Sequence, residues 1–216
     1  MIIEEIMTTN IITLGTEQTI LDAYSLMIQH NIRHLPIVDQ EQHLIGIVSD
    51  RDIRDASPTI LNNNNHQDKV LQLPIKTIMK TDLITGHPLD FVEEIGAIFY
   101  EHKINCLPIV KNRKLVGIIT HSDLLHSLIE LTGAHQPGSQ IEIKVENQAG
   151  VLYKITKVFH DRKAKILSIL MYPDKKNEKF KVVVLRVQTI NPTLIIDDLK
   201  NAGYEVLWPN FPGINR

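Results

Sequence analysis

A stretch that the chain carries twice limits the folds available to it. Leu35-Pro36-Ile37-Val38 is followed, after a polar turn, by Leu44-Ile45-Gly46-Ile47-Val48-Ser49-Asp50-Arg51-Asp52-Ile53. Leu107-Pro108-Ile109-Val110 is followed in the same way by Leu115-Val116-Gly117-Ile118-Ile119-Thr120-His121-Ser122-Asp123-Leu124. Each copy reads as an apolar strand, a turn, a second apolar strand, and a helix opened by Ser or Thr with Asp three residues on. The match continues upstream, pairing Ile6-Met7 with Ile78-Met79, Ile12-Thr13 with Ile84-Thr85, and His30 with His102. The offset is 72 residues before the polar turn and 71 after it, a loss that a surface turn tolerates. A fixed period of this kind predicts two copies of one structural unit.

Within each copy the pattern predicts β-α-β-β-α. Ile11-Ile12-Thr13-Leu14 is short and extended. Thr16 is the expected N-cap of a helix carrying Ile20, Ala23, Met27 and Ile28 and ending near Asn31. In the second copy Ile84-Thr85 precedes a helix expected to open at Pro88, with Leu89, Val92, Ile95 and Phe99 on one face. One unit alone is too small to bury both faces of its sheet, so the two should pack together.

Composition shifts mark the boundaries. We expect repeat 1 at 1–57, a polar surface loop at 58–75 with Asn62-Asn63-Asn64-Asn65, and repeat 2 at 76–131. A linker at 132–139 (Thr132 to Ser139) and a second domain at 140–216 follow. In that domain Ile141, Ile143 and Val145 alternate as a half-buried strand. Asn147-Gln148-Ala149-Gly150 turns into a helical stripe of Val151, Leu152, Ile155, Val158 and Phe159. Ile166 to Met171 and Phe180 to Val187 are strands joined by a charged turn, Asn191-Pro192 opens a helix, and Tyr204 to Trp208 is a last strand. The order β-α-β-β-α-β is that of a ferredoxin-like unit. The fold class expected for the whole chain is therefore mixed α/β (α+β).

Charge and composition remove several function classes. A formal net charge of −2 over 216 residues argues against a nucleic-acid or anionic-membrane surface, which would show a basic face. Cys106 is the only cysteine, so there is no disulfide framework. Glu4 and Glu5 stand where a secretory leader would be basic, and no apolar run approaches a membrane span. A cytoplasmic protein is expected.

The duplicated half resembles a CBS-domain pair, through the Gly-Ile-x-Ser/Thr-x-x-Asp end on a Leu-Pro-Ile-Val strand in both copies. Residues 140–216 resemble an ACT domain, through Val145-Glu146-Asn147-Gln148-Ala149-Gly150-Val151-Leu152 and the element order, with Ala149 where that family usually has proline. A CBS pair of the Bateman type followed by one ACT domain resembles the acetoin-utilisation proteins of bacilli. The resemblance implies a regulatory binder without catalysis of its own.

The residues themselves give two readings of Ser49-x-x-Asp52 and Thr120-x-x-Asp123. The plain one is a helix capping box. The functional one uses the same geometry: a helix N-terminus attracts phosphate, and an aspartate accepts both ribose hydroxyls. The CBS resemblance then implies two clefts built from both repeats. One would join Ser49 and Asp52 with Thr85, Asn105 and Cys106, and the other Thr120 and Asp123 with Thr13, Arg33 and His34. Backbone groups of Ile12 and Ile84 would face an adenine, with Pro36 and Pro108 shaping the wall. The copies differ in charge: Arg33-His34, Arg51 and Arg54 belong to repeat 1, whereas repeat 2 has Asn105-Cys106, His121 and Ser122. Two equal sites are not expected, because phosphate affinity rests on cationic contacts. In the ACT-like half, Asn147, Gln148, Ala149 and Gly150 are either a turn that backbone geometry requires or a loop whose N–H groups capture an amino-acid carboxylate.

Ten histidines are scattered without metal-ligand spacing, and no metal site is expected. Cys106 beside a buried strand reads as a packed thiol. The expectation is a non-catalytic sensor of an adenosyl effector such as AMP, ADP, ATP, NAD or S-adenosylmethionine, with no resident cofactor. Homodimerisation is expected through the ACT domain, and a target enzyme of unknown identity is a candidate partner, with neither nucleic acid nor membrane expected. The rivals are a structural dimer with vestigial clefts and an enzyme using the cleft near Asp52 and His34. The latter lacks a nucleophile, base and orienting group.

Overall fold

A computed structural model describes residues 1–56 and 69–209, and the chain divides into two compact units, one ending at Leu125 and the other starting at His126. In the first unit, repeat 1 supplies α1 (Ile20–His30), the antiparallel hairpin of β1 (His34–Val38) and β2 (Leu44–Ser49), and α2 (Asp50–Ala56). Repeat 2 supplies α3 (Val92–His102), the hairpin of β3 (Cys106–Lys111) and β4 (Lys114–Thr120), and α4 (His121–Leu131), which crosses the division between the units. The ladders shift register at the same place, between Ile37 and Val38 and between Ile109 and Val110, so the duplication holds down to a bulge. The expected first strand of each repeat shrinks to one bridging residue, Leu14 beside Ile37 and Gly86 beside Ile109, both parallel.

Two helix starts differ from the expected ones. The N-cap of α1 is Thr19, not Thr16: Thr19 N–H donates to Asp22 at 2.8 Å and Asp22 N–H to Thr19 Oγ1 at 3.1 Å, a complete capping box. α3 begins at Val92 rather than Pro88, because the carbonyls of Pro88 and Asp90 accept from the backbone N–H groups of Glu4 and Ile3 and hold that stretch out of the helix. Leu89 is accordingly exposed, and so is Ile28 on α1. Most of the expected inter-repeat loop lies outside the described residues. Its end does not behave as loop: residues 69–71 are helical, and Val70 and Leu71 pack against the repeat 1 core.

The two cores of this unit are completed crosswise. Buried Leu14, Ile20, Ala23, Leu35, Ile37 and Val48 of repeat 1 enclose Ile75, with Ile78 and Met79 packed alongside. Ile95, Phe99, Leu107, Ile109 and Ile119 of repeat 2 enclose Ile3, with Ile6 and Met7 alongside. The segment that opens each repeat therefore packs into the other one. Its backbone does the same: Thr8 bridges Ile118 on β4, and Lys80 bridges Ile47 on β2. Gly46 and Gly117 permit this approach, since a Cβ on Gly46 would meet Met79 Sδ at 2.7 Å and Lys80 O at 3.3 Å, and one on Gly117 would collide with Met7.

The second unit is a four-stranded sheet in the order β6-β7-β5-β8, its neighbours all antiparallel. Its elements are β5 (Ser139–Glu146), α5 (Val151–Asp161), β6 (Ile166–Pro173), β7 (Phe180–Val187), α6 (Thr193–Asn201) and β8 (Glu205–Trp208). Ile141, Ile143 and Val145 of β5 and Val183, Leu185 and Val187 of β7 face Val151, Ile155 and Phe159 of α5 and Ile195, Ile196 and Leu199 of α6. At the opening of α6, Asn191 Oδ1 accepts from Thr193 N–H at 3.1 Å and Thr193 Oγ1 at 2.7 Å, so Pro192 is the N-cap residue rather than the first helical one. The residues before β5 are tied to this sheet: Ser168 Oγ donates to Thr132 O at 2.7 Å and the Arg186 guanidinium to Gln136 O at 2.7 Å. Among the described residues no helix is long and apolar enough to cross a membrane.

Candidate functional site

Ser49 ends β2 and Asp52 lies in the first turn of α2. Their side chains close a capping box in which Asp52 Oδ2 accepts from Ser49 N–H at 2.8 Å and Ser49 Oγ at 2.5 Å, while Asp52 N–H donates to Ser49 Oγ at 3.3 Å. The other carboxylate oxygen, Oδ1, is 3.0 Å from Lys80 Nζ. Lys80 comes from the segment leading into repeat 2 and is fixed by two backbone hydrogen bonds with Ile47. Burial pushes the Asp52 carboxyl upward, but hydrogen bonds from Ser49 and Lys80 more than offset this and hold it below the usual range. His34 faces Ser49 across the hairpin, and Arg33 O accepts from Asp50 N–H. Burial pulls the His34 imidazole below its ordinary pKa, against the opposing pull of Asp50 and Asp52.

The second copy repeats the box. Asp123 Oδ2 accepts from Thr120 N–H and Thr120 Oγ1, both at 2.7 Å. Cys106 faces Thr120 across the hairpin, and Asn105 O accepts from His121 N–H. Burial, with Asp123 nearby, pushes the Cys106 thiol up to about 12, so it is neutral and unreactive at pH 7. His121 packs edge-on against Phe99 at 4.6 Å between ring centroids. Thr8 occupies the backbone position that Lys80 holds in the first copy, bonded to Ile118 through both its N–H and C=O.

Hairpin register differs from the expected crosswise grouping, because each hairpin pairs within its own repeat: Arg33 and His34 lie beside Ser49 and Asp50, and Asn105 and Cys106 beside Thr120 and His121. The group that crosses between repeats is Lys80, which sequence reasoning missed. The C=O groups of Pro36 and Pro108 accept from Leu14 N–H and Gly86 N–H, and Ile12 and Ile84 pack against the two repeat cores. Thr13 is half-buried just before the Leu14 bridge. Thr85 lines a cavity of about 600 Å³ together with Ile45, Asp82, Val110 and Arg113, at the turn end of β2 and away from Ser49. On the β1–β2 turn, Asp39, Glu41 and His43 bring ligand-type atoms within 4.8 Å of one another. Asp39 accepts from the N–H groups of Glu41 and His43 and contacts His43 Nδ1, and His43 also bridges Lys114 of the second hairpin.

In the second unit, Asn147, Gln148, Ala149 and Gly150 are exposed. Asn147 N–H donates to Lys179 O and Gln148 N–H to Glu146 O, so two of the loop's N–H groups are already committed. Gly150 has φ of 80° as the N-cap of α5, a conformation that favours glycine.

The model of the CBS domain matches residues 3–59 and 75–130. The chain belongs to the CBS-domain family. An ACT domain model matches residues 139–203, so a CBS pair is followed by an ACT domain. The CBS domain-containing protein YhcV of Bacillus subtilis is 37% identical over 122 residues, spanning 56% of this chain and 81% of YhcV. A structure from Vibrio cholerae, assigned as an acetoin utilization protein (AcuB), is 36% identical with a TM-score of 0.54, covering 63% of this chain and 98% of that one. The CBS pair of protein MJ0100, solved in complex with 5′-methylthioadenosine and S-adenosyl-L-methionine, is 28% identical with a TM-score of 0.52, covering 63% of this chain and 98% of that one. Enzymes matched by the CBS pair are matched in small part: it covers 25% of homoserine O-acetyltransferase from Methanococcus vannielii, at 33% identity.

Proposed function

We propose that the protein is a non-catalytic regulator that senses an adenosyl ligand through its CBS pair, with the ACT domain joining two copies. The observation that carries this reading is the repeated box, which presents Asp52 and Asp123 at matching places beside the hairpins. In the first copy, cationic Lys80 stands beside the carboxylate. A carboxylate so held can accept ribose hydroxyls, and a nearby ammonium suits a phosphate. The adenosyl ligands on the MJ0100 pair support the same class of effector. Regulation of acetoin utilisation is the cellular role we favour, supported by the Vibrio cholerae neighbour.

Calorimetric titration with AMP, ADP, ATP, NAD and S-adenosylmethionine tests the reading. At least one should bind, and Asp52→Ala and Asp123→Ala should each weaken binding while the chain stays folded. Binding that neither substitution alters would remove the site assignment, and turnover of a bound ligand would favour the enzyme rival. For the assembly, sedimentation at tens of micromolar should show a dimer, and a monomer there would count against it.

A further inference from the structure

Lys80 enters the Asp52 half-site from outside its own repeat, and its place there is fixed at both ends. The backbone is clamped to Ile47 by reciprocal hydrogen bonds of 3.0 and 2.9 Å, and Nζ rests 3.0 Å from Asp52 Oδ1. Oδ2 of the same carboxylate already accepts from Ser49 N–H and Oγ. A ribose hydroxyl that reaches Oδ1 therefore competes with the ammonium for it. Resting on the adenosyl reading above, we propose that Lys80 makes the Asp52 half-site selective for phosphorylated adenosyl ligands, and that Thr8 leaves the Asp123 half-site without that selectivity.

The discrimination is a matter of charge. An unphosphorylated nucleoside weakens the Lys80–Asp52 pair and offers the ammonium nothing in return. A nucleoside monophosphate takes the carboxylate with its sugar and supplies a new anion for the displaced cation, so the charge pairing is restored. The Asp52 side chain is 15% exposed and that of Lys80 66%, which leaves the four-carbon stem room to swing from its clamped root towards a 5′-phosphate. Arg33 adds a cation on the same hairpin end. At the matching positions the Asp123 half-site has Thr8, Asn105 and Cys106, none of them charged. A lysine ammonium bonded to phosphate is a charge-assisted contact, and losing one costs about tenfold or more in affinity.

The test is calorimetry on the full chain with AMP and adenosine as probes. In an Asp123→Ala background, which isolates the Asp52 half-site, Lys80→Met should weaken AMP about tenfold or more and leave adenosine unchanged or slightly tighter. Lys80→Arg should keep the preference for AMP. In an Asp52→Ala background, Thr8→Lys should create that preference at the Asp123 half-site. Lys80→Met in the otherwise unsubstituted chain gives a second reading at the tighter AMP site, independent of how the Asp123→Ala chain folds. An AMP-to-adenosine affinity ratio that Lys80→Met does not move, with Asp52→Ala still weakening both probes, overturns the role of Lys80 and spares the adenosyl reading. If no adenosyl ligand binds the unsubstituted chain, or if binding ignores Asp52 and Asp123 together, both fall.

Discussion

Ser49 and Asp52 are joined by three hydrogen bonds in which one carboxylate oxygen serves the helix cap and the other faces Lys80. Capping and binding can therefore be separated by mutation. Ser49→Ala should cost about 1 kcal/mol in urea unfolding by loss of the cap, while Asp52 keeps its Lys80 contact and the chain still binds its ligand. His34 offers a pH probe of the same hairpin. Its folded pKa is depressed, chiefly by burial, so above the unfolded value of about 6.5 it is neutral in both states. As pH falls below that value the unfolded chain takes up the proton first, and stability declines until the folded group titrates as well. His34→Asn should flatten the loss of stability below pH 6.5 relative to the unsubstituted chain, measured as the difference between their unfolding free energies across pH. Identical profiles for the two would contradict the half-buried, neutral imidazole.

Between elements, the main device is the crosswise completion of the two repeat cores. Ile3 is fully buried among repeat 2 residues, although it stands at the start of repeat 1 in the chain. Ile3→Ala should destabilise by about 2–5 kcal/mol, and hydrogen exchange should quicken in β3 and β4 before it does in β1 and β2. Faster exchange confined to β1 and β2 would contradict the packing. Much of this unit was legible in the sequence: the hairpins, both Ser/Thr-x-x-Asp boxes, and in the second unit the alternation of Ile141, Ile143 and Val145. Those signals are local and repeat at the period of the structure they encode. Thr19 was also within reach, since Asp22 stands three residues after it as a capping box requires, and Thr16 was the poorer choice. Pro88 misled because proline suits a helix start, whereas here its C=O serves Glu4 N–H from a distant segment. Lys80 left no local trace. It matters only because its backbone pairs with Ile47, and no periodicity records a contact between such distant residues.

For the whole molecule, the two units have cores built from separate residue sets. Calorimetry should accordingly resolve an AMP-sensitive transition and an insensitive one. AMP at 100 times its dissociation constant should add about 2.7 kcal/mol per site to the former. A uniform shift of every transition would show instead that the units unfold as one. The crosswise leaders also bear on how such a chain is put together. A single repeat carries a leader it cannot use and lacks the one it needs, so it is not a closed object. Two separate copies would satisfy each other by handing leaders across a two-fold axis. In symmetry terms the tandem chain is a dimer whose subunits have been joined end to end. The covalent join replaces an encounter between molecules with a local concentration on the order of millimolar, which keeps the pair assembled at any dilution.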